Sequence, residues 1–490
     1  MSDLRKTAKH SFIYAGGVFL GRAVSFVMLP IYTRFLTPAD YGVLELVGLT
    51  IDIAGMIVGF GLTTAVFRFY YAERDDEGRG AAVSTIALLL IGLYFVGASI
   101  GFASSGWLAR LVLSGTPEEV SFFRLMFLAL FLQSFVDVPL AYIQAQQRSK
   151  VFVLWNTAKL VVQLSLNIVF VVVMRLGVLG VLLSTVISFA LIGSGLVVRT
   201  FRSAGLHFSA ARAREMLRFG APFVVANLGA FVLTFSDRYF LKAYADLGAV
   251  GIYALGYKMG FLLWAFAVAP VMSIWEAQRF ELANRGAEKE ATKRLFLTFN
   301  TVLMFVALGM TLFARDVFRL MSDAAFWDAY RVVPVVLAAY IVQAWTALCN
   351  FGVLYAKETK HLARGAVWSA VLIIALSFAL IPTFGGMGAA WATLLAFVLR
   401  FWIVYRASQR LWPLDYAWGR VLPLCGLAAL FVAPVYLVSI ESVPLSLAFD
   451  AFVMLAFVAT ASALPSVGGD FRAAALLVLK KRQKAFRFGE

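Results

Sequence analysis

The sequence predicts an all-α polytopic membrane protein of about 14 transmembrane helices, arranged as two six-helix lobes related by a parallel repeat plus two C-terminal helices. Three observations carry that expectation. Of 490 residues, 62% are hydrophobic and only 14% charged, an apolar share far above that of a soluble domain. The apolar runs reach the roughly 20 residues that a helix rising 1.5 Å per residue needs to cross hydrocarbon. The chain is also duplicated. Gly177, Gly180 and Thr185 in "GVLGVLLST" recur about 208 residues later as Gly385, Gly388 and Thr393 in "GGMGAAWAT". At nearly the same offset, "DYGVLEL" from Asp40 to Leu46 faces "AVGIYAL" from Ala249 to Leu255. An even number of spans per copy makes both copies enter the membrane from the same side. The repeat axis then runs along the membrane normal, and such repeats enclose a site at their interface.

The expected spans fall near residues 11–33, 41–66, 81–104, 121–146, 151–174, 177–199, 217–240, 249–275, 295–314, 330–355, 363–382, 386–407, 418–439 and 443–465. The first is read as a retained helix, because its apolar run after Lys9 outlasts a signal-peptide h-region and lacks an A-x-A site. Lys and Arg cluster on one side of this arrangement. Arg5, Lys6, Lys9, the groups Arg199–Arg218 and Arg279–Arg294, Lys357, Lys360, Arg364 and the tail Lys480–Arg487 all fall there. By the positive-inside rule that side is cytoplasmic, with both termini. The polar stretch between the sixth and seventh spans is the best internal boundary, closed by Pro222 just inside a new helix. The expected organisation is an N-lobe over 1–205, a linker over 206–216, a C-lobe over 217–411, two additional helices over 412–466 and a basic tail over 467–490.

The formal net charge of +16 sits mostly in those loops and the tail. There it sets topology and attracts anionic headgroups, so it does not point to nucleic acid. Two cysteines, Cys349 and Cys425, are too few for a disulfide framework or a CxxC metal site. His10, His207 and His361 form no metal-ligand cluster, and no P-loop is present, so neither an enzyme nor a bound cofactor is expected.

Function is sought in polar groups inside the spans, where a charge costs several kcal/mol unless it faces protein or water. Arg22, Lys258 and Lys159 are the intramembrane cations to explain, and they either bind substrate or snorkel and pair structurally. Asn156, Lys159, Gln163 and Asn167 follow a helical spacing and form one polar stripe that cannot face lipid. Glu45, Gly48, Asp52, Gly55 and Gly59 place two carboxylates on a glycine-lined face. Asn227, Thr234 and Asp237 lie in the seventh span, and Gln343, Thr346 and Asn350 in the tenth. The competing account is helix packing by small residues and interhelical hydrogen bonds. Read as a chamber, Arg22 and Lys258 grip an anion such as phosphate. In that reading Asp52, Glu45 and Asp237 pair with cations or couple transport to an ion, while Asn156, Gln163, Asn167, Asn227 and Asn350 line the lumen.

"LPIYTRFLTPADYGVLEL" at 29–46, "FGAPFVVANL" at 219–228 and "FSDRYFLKAYADLGAVGIYALGYKMG" at 235–260 resemble the Wzx-type flippases of the polysaccharide transporter family, in the MOP exporter superfamily. The likeness spans roughly residues 1–411. It implies a MATE-like fold, and an inner-membrane flippase that moves an undecaprenyl-pyrophosphate-linked oligosaccharide to the periplasmic leaflet by alternating access. It further implies a cationic lumen, lipid-linked oligosaccharide and membrane lipid as partners, and a polysaccharide polymerase and co-polymerase as possible ones. Arg22 matches a cation of the first helix in related lipid II flippases. Arg34, Asp40, Asp237 and Arg238 match recurring positions at the outer ends of the first and seventh spans, where they either fix loop geometry or touch substrate. Many members have twelve spans, and the extra pair here either forms a lipid-tail groove or packs on the second lobe. A drug/cation antiporter, which would want carboxylates in its cavity, and a non-transporting scaffold of a glycan-assembly complex are the alternatives.

Overall fold

The computed structural model of the chain describes residues 28–463, apart from 287 and 439. Among the described residues there are helices and no strands, and eleven helices are long and apolar enough to cross a membrane. Every expected span from the second onward overlaps one of the helices, and the first lies outside the described residues.

Local chemistry starts several helices. Thr37, Pro38 and Asp40 open the helix Pro38–Gly59 with a capping box: Asp40 Oδ2 accepts from Thr37 N at 2.9 Å and Thr37 Oγ1 from Asp40 N at 3.2 Å. Thr116, Pro117 and Glu119 do the same for Pro117–Ala145. Asp75 caps the helix Asp76–Val112 through Gly78 N.

The duplication is written into the backbone. Gly177 and Gly385 both take positive φ, 57° and 52°, which glycine adopts without steric cost. Three residues on, a Cβ on Gly180 would meet the backbone of Phe170, and one on Gly388 would collide with the carbonyl of Leu380. In a straight helix eight residues span roughly 12 Å, so the chain reverses at Gly385. The continuous stretch Lys360–Leu411 is therefore a hairpin of two spans. The second helix of each copy is also interrupted at one place. Phe60 and Gly61 turn left-handed between Pro38–Gly59 and Leu62–Ala72. In the second copy a π-helical turn, Trp264–Val268, joins Leu247–Leu263 to Ala269–Asn284, with Pro270 at the start of the latter. Gly42 and Gly251, equivalent in the two copies, touch. A Cβ on either would run into the other helix's backbone, at Leu247 O and Pro38 O respectively. Helices cross this closely only where side chains are absent.

The chain divides into two compact units, Met1–Lys242 with Asp246–Gly251, and Ala243–Ala245 with Ile252–Glu490. The helix Ala210–Tyr244, placed by the sequence at the start of the second copy, packs almost wholly within the first unit. Gly220 lies against the carbonyl of Phe60, and Lys242 Nζ donates to Leu113 O at 2.7 Å. This packing boundary falls later than the 206–216 linker, because the helix makes these contacts with the helices of residues 38–59 and 76–112 and the turns that end them. In the second unit the additional helices Trp418–Leu437 and Val443–Ala463 are firmly held. Trp418 packs edge-on to Phe296, Trp345 and Phe401 and donates to Tyr405 OH at 3.0 Å. Arg315 and Arg319 donate to Val438 O and Ile440 O.

Candidate functional site

Within the first unit the deep charges form a connected polar system. Arg238 is fully buried, and its guanidinium donates to Asp237 Oδ1 at 2.7 Å, to Glu45 Oε1 at 3.3 Å and to the Thr234 carbonyl at 2.8 Å. Asp237 is as buried as Arg238. The neighbouring turn adds Thr50 Oγ1 and Tyr239 OH, 3.0 Å apart. Asp52, about two turns beyond Glu45, is exposed and lies within electrostatic reach of Glu45 and of the hydroxyls of Tyr94 and Tyr239. Tyr94 points its hydroxyl at the glycine face: a Cβ at Gly59 would meet it at 3.0 Å and one at Gly55 at 4.0 Å, whereas nothing lies within 4 Å of Gly48. Two of the three glycines on this face therefore make room for a tyrosine. Tyr94 in turn neighbours Asp137, which accepts from Gln133 Nε2 at 3.2 Å and interacts with Lys159.

This geometry reassigns several expected partners. The cation held by Glu45 among the described residues is Arg238; Arg22 lies outside them. Arg238 is no loop residue but the centre of an ion triad joining the Pro38–Gly59 helix to Ala210–Tyr244. Lys159 interacts electrostatically with Asp137 of its own unit and lies over the ring of Phe189 at 5.7 Å. The stripe Asn156, Lys159, Gln163 and Asn167 is turned toward neighbouring helices of the first unit. Gln163 Nε2 donates to Thr185 Oγ1 at 3.3 Å, Ser188 Oγ to Lys159 O at 3.2 Å, and Asn167 is buried with Oδ1 lacking a hydrogen bond. Leu154, Val161, Val169 and Val173 supply the exposed side of the same helix and of the π-helical turn that follows it. Asn156 is half-buried, and Asn227 is exposed within an exposed run of the seventh span.

In the second unit Asn350 interrupts a helix between Val333–Cys349 and Phe351–Tyr355, and its Oδ1 accepts from Arg279 Nη1 at 2.9 Å. Lys258 is half-buried near the end of Leu247–Leu263, a turn before the π-helical interruption. The sequence reading did not single out two charges. One is Asp137, whose signal was the Gln133/Asp137 pair at helical spacing inside an apolar run. The other is Arg400, eleven residues and roughly 17 Å in from the helix end at Leu411. Arg400 lies against the Gly365 helix, its Nε is fully covered without a hydrogen-bond partner, and no carboxylate pairs with it among the described residues. Its signal was an Arg in the middle of the apolar 386–407 run, six residues before Arg406 nearer the helix end.

The two units therefore differ in charge. In the first unit Arg238 is paired with Asp237 and Glu45 and Lys159 interacts with Asp137, whereas Arg400 of the second unit lies inside a span with no carboxylate paired to it among the described residues. Among the described residues no group of three or more His, Cys, Asp or Glu side chains is placed to hold a metal ion.

Comparison with known proteins gives a consistent picture. The sequence profile of the family described as "Polysaccharide biosynthesis protein" matches residues 7–275. A "Probable low-salt glycan biosynthesis flippase Agl15" of Haloferax volcanii is 22% identical over 189 residues, which is 38% of this chain and 40% of that protein. The match thus spans well under half the length of this curated relative. Among solved structures, "Lipid II flippase MurJ, inward closed conformation" superposes with a TM-score of 0.71 at 11% identity, covering 91% of this chain and 98% of that one. A "multidrug resistance MATE family transporter of the MOP superfamily" in its inward-facing conformation superposes with 0.63 at 14% identity, covering 79% and 94%. At such identities the likeness shows a shared fold.

Proposed function

This chain, a multi-pass membrane protein, belongs to the polysaccharide biosynthesis protein family, and from that premise we propose that it is a flippase translocating a lipid-linked oligosaccharide between leaflets for surface polysaccharide synthesis. The proposed substrate is an oligosaccharide on undecaprenyl pyrophosphate, carried from the cytoplasmic to the periplasmic leaflet of a bacterial inner membrane by alternating access. Both termini are cytoplasmic in this reading, and the protein moves its substrate without making or breaking covalent bonds. A polysaccharide polymerase and co-polymerase are its natural downstream partners.

The observation that carries the reading is Arg400, a cation within a span that has no carboxylate paired to it among the described residues. A charge retained at this depth against a cost of several kcal/mol marks a functional site, and one with no anion of its own suits an anion that comes and goes. Pyrophosphate fits, because a guanidinium grips two oxygens at once and Lys258 adds a point charge. Asp52, an exposed carboxylate of the first unit, suits a cation that couples to the cycle. The broken second helices support a moving site in both copies, since irregular backbone at bilayer depth is tolerated where it lines protein or water.

The test is flipping of a fluorescent undecaprenyl-pyrophosphate oligosaccharide in proteoliposomes containing the purified chain, together with surface glycan in cells. Arg400→Gln and Lys258→Gln are each expected to cut transport at least tenfold with normal expression, and Arg400→Lys to retain part of it. Full activity in both Gln variants would sink the cation-grip reading. Transport of organic cations in place of lipid-linked glycan would favour an antiporter, which the Asp52 carboxylate would then serve.

A further inference from the structure

The repeat reproduces more than helices; it reproduces a groove. In the second unit a groove of about 540 Å³ is lined by Met304, Ala307, Thr311 and Leu337 from the repeated helices. In the first unit a groove of about 740 Å³ is lined by Phe95, Ala98, Phe102 and Leu128. Each residue of the second set precedes its counterpart by the interval that separates Gly42 from Gly251. The second-unit groove is closed by the chain's own additional helix, which presents Cys425, Ala428, Ala429, Val432 and Tyr436 at helical spacing. The first-unit groove has no such cover among the described residues, and Phe95 and Phe102 are 59% and 50% exposed.

One residue distinguishes the open groove. Arg124 lines it, exposed and stacked over the Phe102 ring at 5.2 Å, about two turns from the Pro117 end of its helix. Its equivalent in the second copy is Val333, uncharged and fully buried beside the groove-lining Pro334 and Val335. An uncompensated cation at this level asks its occupant for a carboxylate.

We propose that the first-unit groove is the docking site of a transmembrane helix from a partner protein, one presenting a small-residue face and an Asp or Glu level with Arg124. The covered copy supplies the argument for a helix: the same lining, repeated in the same chain, already takes one whose contact face is mostly small. The charge supplies the argument for an acidic partner rather than a second copy of the chain's own additional helix, whose groove-lining residues carry no charge.

Site-specific photocrosslinking tests this. The full chain carrying p-benzoylphenylalanine at position 95, and separately at position 128, is irradiated in its native membrane and the adduct mapped by mass spectrometry. An elution profile matching the unmodified protein shows that each labelled chain is folded. The expected result is one adduct whose second peptide is a membrane-spanning segment of another protein with a carboxylate on the linked face. Arg124→Glu should reduce it at least tenfold, and Arg124→Lys should preserve it. The same label at position 391, in the covered groove, should link within the chain to residues 425–436. Adducts to phospholipid alone, to a second copy of this chain or to none, or a protein adduct that survives Arg124→Glu, overturn the proposal.

Discussion

Arg238 and Arg400 are both arginines inside membrane spans, and they stand in opposite situations. Arg238 is enclosed by Asp237 and Glu45 and by a carbonyl. A buried ion pair of this kind gains little over an apolar substitute, but removing one partner strands the other charge at a cost of about 3–5 kcal/mol. Arg238→Met is therefore expected to lower the unfolding temperature of the detergent-solubilised protein markedly, and Arg238→Met combined with Asp237→Asn to restore much of the loss. Equal shifts for the single and double variants would contradict the triad. Arg400 carries the reverse expectation. With no carboxylate beside it, Arg400→Leu should leave the unfolding temperature unchanged or raise it, while abolishing transport. A drop in stability with transport intact would make Arg400 a structural residue. Neither role was legible from the chain alone, because a sequence places an arginine at a depth but does not state whether a carboxylate from another helix comes within reach.

Between helices, glycines decide how closely backbones approach. Gly42 and Gly251 sit where two helix starts cross backbone to backbone, while Gly48, on the same helix as Gly42, has open space around it. Gly42→Ala and Gly251→Ala each insert a methyl into a neighbouring main chain, and overpacking of this kind costs about 1–3 kcal/mol. Both should therefore broaden or abolish the monodisperse elution peak and lower the unfolding temperature. Gly48→Ala should be neutral or slightly stabilising, since alanine is the better helix former. A destabilised Gly48→Ala beside an unaffected Gly42→Ala would refute the crossing. Elements of this class were readable in advance: apolar runs set the spans, T-P-A-D set a capped helix start, and the recurrence of Gly177 and Gly180 as Gly385 and Gly388 set two equivalent reversals. What escaped was lateral packing. The stripe of Asn156, Lys159, Gln163 and Asn167 is a single helix face by its spacing. Spacing alone does not separate a lumen from the flank of the Gly177–Ala204 helix, which is where Gln163 and Lys159 lie.

Across the whole molecule, symmetry of scaffold and asymmetry of chemistry coexist. Both copies reverse at a left-handed glycine and break their second helix at one place, yet the first pairs its buried Arg238 with two carboxylates and the second leaves Arg400 without one among the described residues. The additional helices enlarge this difference, since they pack on helices of the second unit. Their anchorage argues that they are part of that unit's core. Trp418 fills an aromatic cluster with Phe296, Trp345, Phe401 and Tyr405, and Arg315 and Arg319 bind carbonyls at the far ends. Ending the chain after Leu411 would uncover the apolar groove lined by Met304, Trp345 and Trp391 and leave both arginines without those carbonyls. The truncated protein is therefore expected to express at a small fraction of the full chain and to unfold at a clearly lower temperature. Trp418→Ala, which removes one large aromatic side chain and leaves its packing neighbours over a cavity, should lower stability by about 3–5 kcal/mol. It should reproduce part of the truncation's thermal shift without altering transport of the folded fraction. A truncated chain as stable as the parent would show that the added pair only leans on the second unit, and its groove would then be a surface open to lipid tails.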